Sequence, residues 1–370
     1  MTKLIMGADL STLPEAEAQG ARYFDGEREG LADDILISHG VSSVRIRVWN
    51  DPFDTAGKPY GGGTCHTANM VTLAKRLKDK GMSFMLDLHY SDFWCDPARQ
   101  GTPKAWRGMS LDEMCSALRD FTAETVKAFI AAGAAPEYIQ VGNEITNGML
   151  WNTAKLDRSS PVAFTESFER LAKLIKAGTA AVREVSDAKI IIHLEQSGKN
   201  DLWWEWFDEA AKHNMDYDII GASYYTLWHG TLEEMRANLD DMAKRYDKDI
   251  MIVEAAYPFT AKHHDPFSKR LMIDEDFTLA DGSRPKWAFS PEGQAQFVRE
   301  LKATAESIER CRGIYWWEPA WLPTKGSTWA TREALRDIGE EDKGTGNEWA
   351  NQCLFDYEGR ALPALYEYGI

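Results

Sequence analysis

The sequence predicts an α/β fold in which eight parallel strands close into a single (β/α)8 TIM barrel. Eight short apolar runs recur along the 370 residues, with stretches of helical periodicity between them. Most of these runs are continuously apolar, as parallel strands covered on both faces should be. Alternating strands and helices also fit an open doubly wound sheet, but eight strands favour the closed barrel.

The predicted strands start close to the N-terminus and are spread over most of the chain. No linker or low-complexity tract interrupts the series, so we expect one domain over residues 1–370. The strands are predicted over residues 4–9, 43–49, 83–89, 138–143, 189–194, 217–224, 250–254 and 313–317.

Recognisable end signals bound the helices between these strands. Gly81 favours the left-handed conformation that closes a helix, and Ser110 with Glu113 matches a capping box that opens one. Apolar side chains recur on one face of a third stretch, as expected of a helix packed against a sheet. The three clearest helices are predicted over residues 70–80, 110–132 and 164–185.

Two connections are much longer than the rest. One follows the seventh predicted strand over residues 255–291, and the other follows the eighth over residues 318–357. Barrels of this kind keep their functional groups at the C-terminal ends of the strands. Long loops at that face are usually functional, so we expect both connections to shape a site there.

The charge balance argues against several classes of partner. The chain has 42 Lys and Arg against 58 Asp and Glu, a net charge of −16. Nucleic acids and anionic membrane surfaces attract clustered basic residues, so we expect neither as a partner. An acidic polysaccharide is disfavoured as well, and a neutral glycan fits better. No apolar run approaches the ~20 residues that span a bilayer.

The N-terminal segment and the cysteines bear on the compartment. The first predicted strand begins almost at once, without the pattern of a secretory signal. We therefore predict a cytoplasmic protein; the alternative is a secreted protein whose signal has been removed. Five cysteines, odd in number and without CxxC spacing, fit buried free thiols in a reducing compartment. They are Cys65, Cys95, Cys115, Cys311 and Cys353.

Two predicted strands end in a glutamate. The fourth run ends in Asn143-Glu144 and the seventh in Glu254. In a barrel, both carboxylates would face the mouth, and two carboxylates at one cavity are the minimal equipment for hydrolysing a glycosidic bond. Glu144 would then be the general acid and base and Glu254 the nucleophile. The alternative is that Asn-Glu is a common dipeptide and Glu144 an ordinary surface residue.

The second predicted strand carries two arginines on one face, Arg45 and Arg47. Buried arginines need carboxylate partners. We assign Arg45 to Glu254, whose charge a nearby cation would hold. For Arg47, a structural ion pair at the barrel floor and a role in the site remain equally open.

Asp87 and His89 end the third strand on one face. Histidine can bind metal, and His193 and His229 could contribute to a metal-dependent hydrolase. No H-x-H or HExxH pattern occurs, however, and these histidines lie among aromatic residues, as sugar-contacting histidines do. We therefore favour a sugar contact over a metal site.

Tryptophan is another strong compositional signal, with 14 residues. Flat aromatic faces stack on the apolar faces of pyranose rings. Core packing is the alternative, and it fits Trp203, Trp204 and Trp206 at a predicted helix start. The tryptophans near C-terminal strand ends, which we expect at the mouth, are Trp49, Trp94, Trp228, Trp316, Trp317 and Trp321.

Together these segments resemble glycoside hydrolase family 53, the endo-β-1,4-galactanases, almost from end to end. The family belongs to the clan of retaining (β/α)8 glycosidases with catalytic glutamates on strands four and seven. The most specific segment is Gly142-Asn143-Glu144-Ile145-Thr146-Asn147-Gly148-Met149-Leu150-Trp151. The other matching segments are residues 6–11, 44–52, 87–94, 223–225, 253–258 and 317–321.

The resemblance implies hydrolysis of β-1,4-galactan, as in type I arabinogalactan, or of galacto-oligosaccharides derived from it. It implies that Glu144 is the acid/base and Glu254 the nucleophile, with their carboxyl groups about 5–5.5 Å apart as retention requires. It also implies contacts to the cleaved sugar from four residues. The residues expected to bind substrate are Arg45, Asp87, His89, Trp94, Asn143, Tyr225, Trp228, Trp317 and Trp321; the four from the resemblance are Arg45, His89, Asn143 and Tyr225.

The chemistry requires no cofactor, but some bacterial members of the family bind calcium between the loops after strands seven and eight. Residues 262–266 and 274–276 of this chain are rich in oxygen ligands of the kind that calcium prefers. They match no ligand pattern residue by residue, so we assign no metal ligands. We expect a monomer.

Two other functions remain open. A related retaining barrel enzyme for β-mannan or β-glucan would share the catalytic pair and differ in the groups that contact the sugar hydroxyls. A non-catalytic glycan-binding barrel would be expected to have lost one of the two glutamates, and this sequence has both.

Overall fold

The computed structural model describes residues 4–264 and 271–369. Within these ranges eight parallel strands close into a barrel, each paired with the strands before and after it in sequence, and the last with the first. The predicted barrel is therefore confirmed. Its strands are β1 (Ile5–Asp9), β2 (Ser43–Val48), β3 (Ser83–Leu88), β4 (Tyr138–Val141), β5 (Lys189–Leu194), β6 (Ile219–Tyr224), β7 (Asp249–Ala255) and β8 (Cys311–Trp316).

Helices follow every strand and cover the outside of the barrel. The capping box predicted at Ser110 and Glu113 is present, with each side chain bonded to the other residue's backbone N–H. The helices are α1 (Leu13–Ala18), α2 (Ala32–Ser38), α3 (Thr67–Asp79), α4 (Leu111–Ala131), α5 (Pro161–Val185), α6 (Asn200–Lys212), α7 (Leu232–Tyr246), α8 (Pro291–Ser307), α9 (Arg332–Asp337) and α10 (Pro363–Tyr368).

The connections also contain short strands and turns. These were not predicted, because two or three residues are too few to show a strand or helix periodicity. Antiparallel hairpins pair Tyr23–Asp25 with Arg28–Gly30, and Gly148–Met149 with Ala154–Lys155. The 3₁₀ turns are Lys104–Trp106, Ile145–Asn147 and Ala350–Gln352.

The apolar core has two parts. The larger lies between the barrel and its helices, and the smaller consists of alternate strand residues such as Met85, Ile191 and Met251 with the ring of Tyr315. Alternation places this smaller cluster inside the barrel. Gly7 makes room for it, since a Cβ there would lie 2.2 Å from the Tyr315 ring. The barrel interior is thus filled below its C-terminal mouth.

The two long connections contact each other. Residues 256–264 and 271–290, after β7, contain no helix or strand, and residues 317–362, after β8, contain α9 and the turn Ala350–Gln352. The Asn351 amide donates to the carbonyl oxygens of Thr260 and Ile273. One side chain therefore links the two connections.

Within the described ranges, no helix combines the length and apolarity needed to cross a membrane. All five cysteines are free thiols; Cys115 is half-buried and the other four are buried. Burial raises the pKa of Cys115 and, to a greater extent, of the other four thiols. The predicted free thiols are confirmed, and they are protonated at neutral pH.

Candidate active site

A cavity of about 1040 Å³ opens at the C-terminal ends of the barrel strands, and Glu144 and Glu254 both line it. Most of the predicted substrate-binding residues line the same cavity. They are His89, Trp94, Asn143, Tyr225, Trp228, Trp317 and Trp321.

The prediction that Arg45 and Asp87 bind substrate directly does not fit their positions. Both side chains have no exposed surface, and their guanidinium and carboxylate lie 2.8 Å apart. Neither residue lines the cavity. Arg45 contacts Glu254 and Asp87 contacts His89, and both of these residues do line it. Arg45 and Asp87 are positioning residues, not the direct sugar contacts that were predicted.

Glu254 lies near the end of β7 in a polar environment that suits a negative charge. Arg45 Nη1 is 2.8 Å from Glu254 Oε1, which confirms the predicted pair. The Tyr225 hydroxyl donates to Glu254 Oε2 at 2.8 Å. Arg45 also pairs with Asp9 at 2.9 Å, so one buried guanidinium serves three carboxylates, those of Asp9, Asp87 and Glu254.

Glu144 follows β4 in a left-handed backbone conformation, with φ of 48°. The Gln100 amide donates to the carbonyl oxygens of Asn143 and Glu144, which fixes this turn. The Ser223 hydroxyl donates to Glu144 Oε1 at 2.6 Å. A register shift between β6 and β7 pairs Ser223 with Glu254, so Ser223 stands next to both glutamates.

Burial raises the pKa of both glutamates, and they differ in the neighbouring groups that oppose this rise. Burial raises the pKa of Glu144 well above its ordinary value, the neighbouring charges of Glu254 and Glu195 raise it further, and the hydrogen bond from Ser223 opposes the rise. Burial also raises the pKa of Glu254, but Arg45 and the Tyr225 hydroxyl act in the opposite direction. No ion pair to a cation reaches Glu144 in the part of the chain that the structure describes. The proton therefore resides on Glu144 and the charge on Glu254.

A hydrogen-bond network orients Asn143 at the cavity floor. Its Oδ1 accepts from Arg45 Nη2 at 2.8 Å and from Gln140 Nε2 at 3.1 Å, and lies 2.9 Å from His193 Nδ1. Its Nδ2 donates to the Cys95 carbonyl oxygen at 2.9 Å. These contacts leave one hydrogen of the amide for a ligand.

Sequence reasoning assigned no role in this network to Gln140, His193 or Ser223. Gln140 also donates to Asp87, and His193 Nε2 is 2.8 Å from the Ser223 hydroxyl. Each of the three is a polar residue within an otherwise apolar strand, two positions from another inward-facing residue. This pattern could have marked them as inward-facing. The sequence could not show that these three residues meet, because that depends on how the barrel closes and on the register of its strands.

The histidines of the site are engaged with protein groups. His89 Nδ1 accepts from the Trp49 indole at 3.2 Å, and His89 Nε2 pairs with Asp87 at 2.9 Å. Burial lowers the pKa of His193 well below its ordinary value and that of His229 to about 4, so both are neutral. Within the described residues no three His, Cys, Asp or Glu side chains form a metal-binding group.

Aromatic rings form one wall of the cavity. Trp94 is stacked with Trp321 at a centroid distance of 6.0 Å and lies 5.7 Å from Trp317. Trp329 and Trp349, from the connection after β8, line the same cavity and were not predicted. They are distant in sequence from any strand end, so only the path of that connection brings them here.

The contacts of Arg47 decide between a structural ion pair and a role in the site. Arg47 Nη1 is 2.5 Å from Glu318 Oε1, and both side chains are buried. The same guanidinium lies 4.1 Å from the centroid of the Trp94 ring. Arg47 therefore forms a buried ion pair that also supports a ring of the cavity wall.

Trp49 and Trp316 do not lie at the mouth, and that prediction was wrong for both. Each is fully buried. The Trp316 indole donates to the Gln352 carbonyl oxygen, and its ring packs beside Phe297 of α8, because its strand position points outward from the barrel. Trp203 and Trp206 are buried as predicted, whereas Trp204 is partly exposed.

The segment considered for calcium is only partly described. Asp265 and Pro266 lie outside the described residues. Of the rest, Asp274 Oδ1 accepts from the backbone N–H of Asp276 in a local turn.

Comparisons with known proteins agree with this geometry. An endo-beta-1,4-galactanase of Bacillus subtilis (strain 168) is 32% identical to the chain, over 98% of the chain and 84% of its own length. An arabinogalactan endo-beta-1,4-galactanase of Cellvibrio japonicus (strain Ueda107) is 31% identical, over 98% and 90%. The solved structure of the Ignisphaera aggregans GH53 catalytic domain superposes with a TM-score of 0.88 at 34% identity, over 99% of this chain and 95% of that one. The family described as Glycosyl hydrolase family 53 matches residues 5–368, and the chain is a glycoside hydrolase that belongs to this family.

Proposed function

We propose that the protein hydrolyses β-1,4-galactosidic bonds in galactan or in galacto-oligosaccharides, with retention of anomeric configuration. The observation that carries the mechanism is the contrast between two carboxylates in one cavity. Glu254 is paired with Arg45 and Tyr225, whereas Glu144 is desolvated and bonded to a neutral hydroxyl.

In the first step, ionised Glu254 attacks the anomeric carbon while Glu144 donates its proton to the leaving glycosidic oxygen. In the second step, Glu144 takes a proton from water, which attacks the same carbon and releases Glu254. Burial supports both steps, because low dielectric strengthens the charge contacts to the transition state. Formation of the glycosyl ester discharges Glu254, so its negative charge no longer holds the proton on Glu144.

Galactan as the substrate is supported by the two relatives named as galactanases. It is also supported by the net charge of −16, which suits a neutral glycan. The tryptophan wall offers faces for pyranose rings.

The test is a time course of product sizes on debranched β-1,4-galactan, with β-mannan and cellulose in parallel. We expect short galacto-oligosaccharides from galactan alone, and NMR should detect the β-anomer of the new reducing end before mutarotation. Cleavage of mannan or cellulose instead would retain the catalytic pair and reject the substrate. An initial α-anomer would reject retention.

A further inference from the structure

A second cavity of about 620 Å³ adjoins the catalytic one. The two share Arg99 in their walls. The second cavity is bounded by the loop after β3, by the hairpin after Glu144 and by the end of α9. The lining residues that matter below are Arg99, Thr102, Arg107, Met109, Trp151 and Asn152.

One ion pair stands between the cavities. Arg99 pairs with Glu340, which lines the catalytic cavity, and Lys343 Nζ is 2.9 Å from the other oxygen of Glu340. About a fifth of the Arg99 side chain and a quarter of the Glu340 side chain are exposed, at 20% and 24%. We call the Arg99–Glu340 pair the bridge.

Further contacts hold the bridge in place. The Arg99 guanidinium lies 5.8 Å from the Phe93 ring centroid and 5.9 Å from that of Trp329. The backbone of Arg99 exchanges two hydrogen bonds with that of Asp96. Stacking and a tight turn therefore restrict Arg99 in addition to its charge pair.

The second cavity has the chemistry of a neutral sugar site. Trp151 and Met109 supply apolar surface, and the indole of Trp151 is fixed by its hydrogen bond to the Asn147 carbonyl oxygen at 3.1 Å. The Arg107 and Asn152 side chains are exposed, and neither makes a hydrogen bond or ion pair within the described ranges. An aromatic ring beside free hydrogen-bonding groups is what a hexose requires.

We propose that the lining of the second cavity fits sugar units of the same glycan, and that the bridge is a specificity-determining barrier that keeps a glycan bound in the catalytic cavity from reaching it. The proposal rests on the proposed function. In the unmodified protein the barrier limits the number of sugar units bound on that side of the cleavage point. Its removal joins the two cavities and extends the binding groove.

The test compares Glu340→Gln with the unmodified protein on β-1,4-galacto-oligosaccharides of defined length, labelled at the reducing end. Glutamine keeps the size of the side chain and removes its negative charge, so the ion pairs with Arg99 and Lys343 are lost and at most a neutral hydrogen bond remains. The matched control is Glu333→Gln on the same connection, which breaks the exposed pair with Lys58. We expect Glu340→Gln to raise kcat/KM on the longest oligosaccharides about tenfold relative to the shortest cleaved one, equivalent to ~1.4 kcal/mol of added binding.

Glu333→Gln should leave that ratio and the cleavage pattern unchanged. Adding Arg107→Ala to Glu340→Gln should abolish the gain, because Arg107 lines only the second cavity. An unchanged ratio in Glu340→Gln, or a gain that survives Arg107→Ala, would overturn the proposal while the proposed function stands. Absence of cleavage by the unmodified protein would overturn both.

Discussion

Arg45 Nη1 lies 2.8 Å from Glu254 Oε1, and the Arg45 side chain has no exposed surface. This contact gives the two glutamates of the cavity different chemistry. A buried charge is costly unless a counter-charge and hydrogen bonds replace water. Glu254 has both, from Arg45 and Tyr225, whereas among the described residues Glu144 accepts its side-chain hydrogen bond from the neutral Ser223 hydroxyl.

Replacing Glu254 by alanine should lower kcat on galactan by more than about 10³-fold, as expected for loss of a covalent nucleophile. Glycan binding should persist, because the tryptophan wall is untouched. Added azide should restore part of the turnover with an activated aryl galacto-oligosaccharide and give the α-glycosyl azide. Steady-state kinetics and NMR of the azide product measure this, and a β-azide would contradict the assignment.

Replacing Glu144 by glutamine should lower kcat on galactan by about 10²–10⁴-fold, because the leaving oxygen loses its general acid. With a dinitrophenyl leaving group, which needs no protonation, the first step should stay fast and a burst of dinitrophenol should precede slow steady-state release. Stopped-flow absorbance checks this. Equal loss on both substrates, without a burst, would argue that Glu144 is not the acid.

Replacing Ser223 by alanine should move the basic limb of the kcat/KM profile to higher pH. The hydrogen bond from Ser223 lowers the pKa of Glu144, so its removal raises that pKa further and the acid stays protonated at higher pH. Ser197→Ala is the control, since Ser197 is also buried but bonds to the Ser223 carbonyl oxygen. A basic limb that moves to lower pH would contradict the assignment of this limb to Glu144.

Replacing Glu195 by glutamine should change how stability depends on pH. Burial raises the pKa of Glu195 to about 7, from 4.5 in the unfolded chain. The folded state therefore holds a proton that the unfolded state loses between these values, so the contribution of Glu195 to stability falls as pH rises from about 4.5 to 7 and is constant above.

In Glu195→Gln that part of the decline should be absent. The difference in Tm between variant and unmodified protein should grow by an amount on the order of 1–3 °C between pH 4.5 and 7. Thermal unfolding followed by circular dichroism at several pH values measures this. Glu27→Gln, at an exposed position, should show no such trend. A constant Tm difference would mean that Glu195 titrates alike in both states.

The strand sequences by themselves predicted the barrel and the position of the glutamates. A strand buried on both faces must be apolar throughout, and its inward-facing positions recur with a period of two. Glu144 and Glu254, each at the end of such a run, could therefore be placed at the mouth before any contact was known. The pairing of Arg45 with Glu254 followed from the need of a buried guanidinium for a carboxylate.

Only the tertiary structure decided which side chains reach the cavity and which support it. Arg45 and Asp87 are fully buried against each other and do not line the cavity, although the sequence pattern predicted a contact with the sugar for both. Trp316 and Trp317 are adjacent in sequence, yet one packs outside the barrel and the other lines the cavity. Trp349 and Glu340 enter the site from a connection whose path no local pattern encodes. Contacts between residues far apart in the chain depend on barrel closure and loop packing, which local periodicity does not specify.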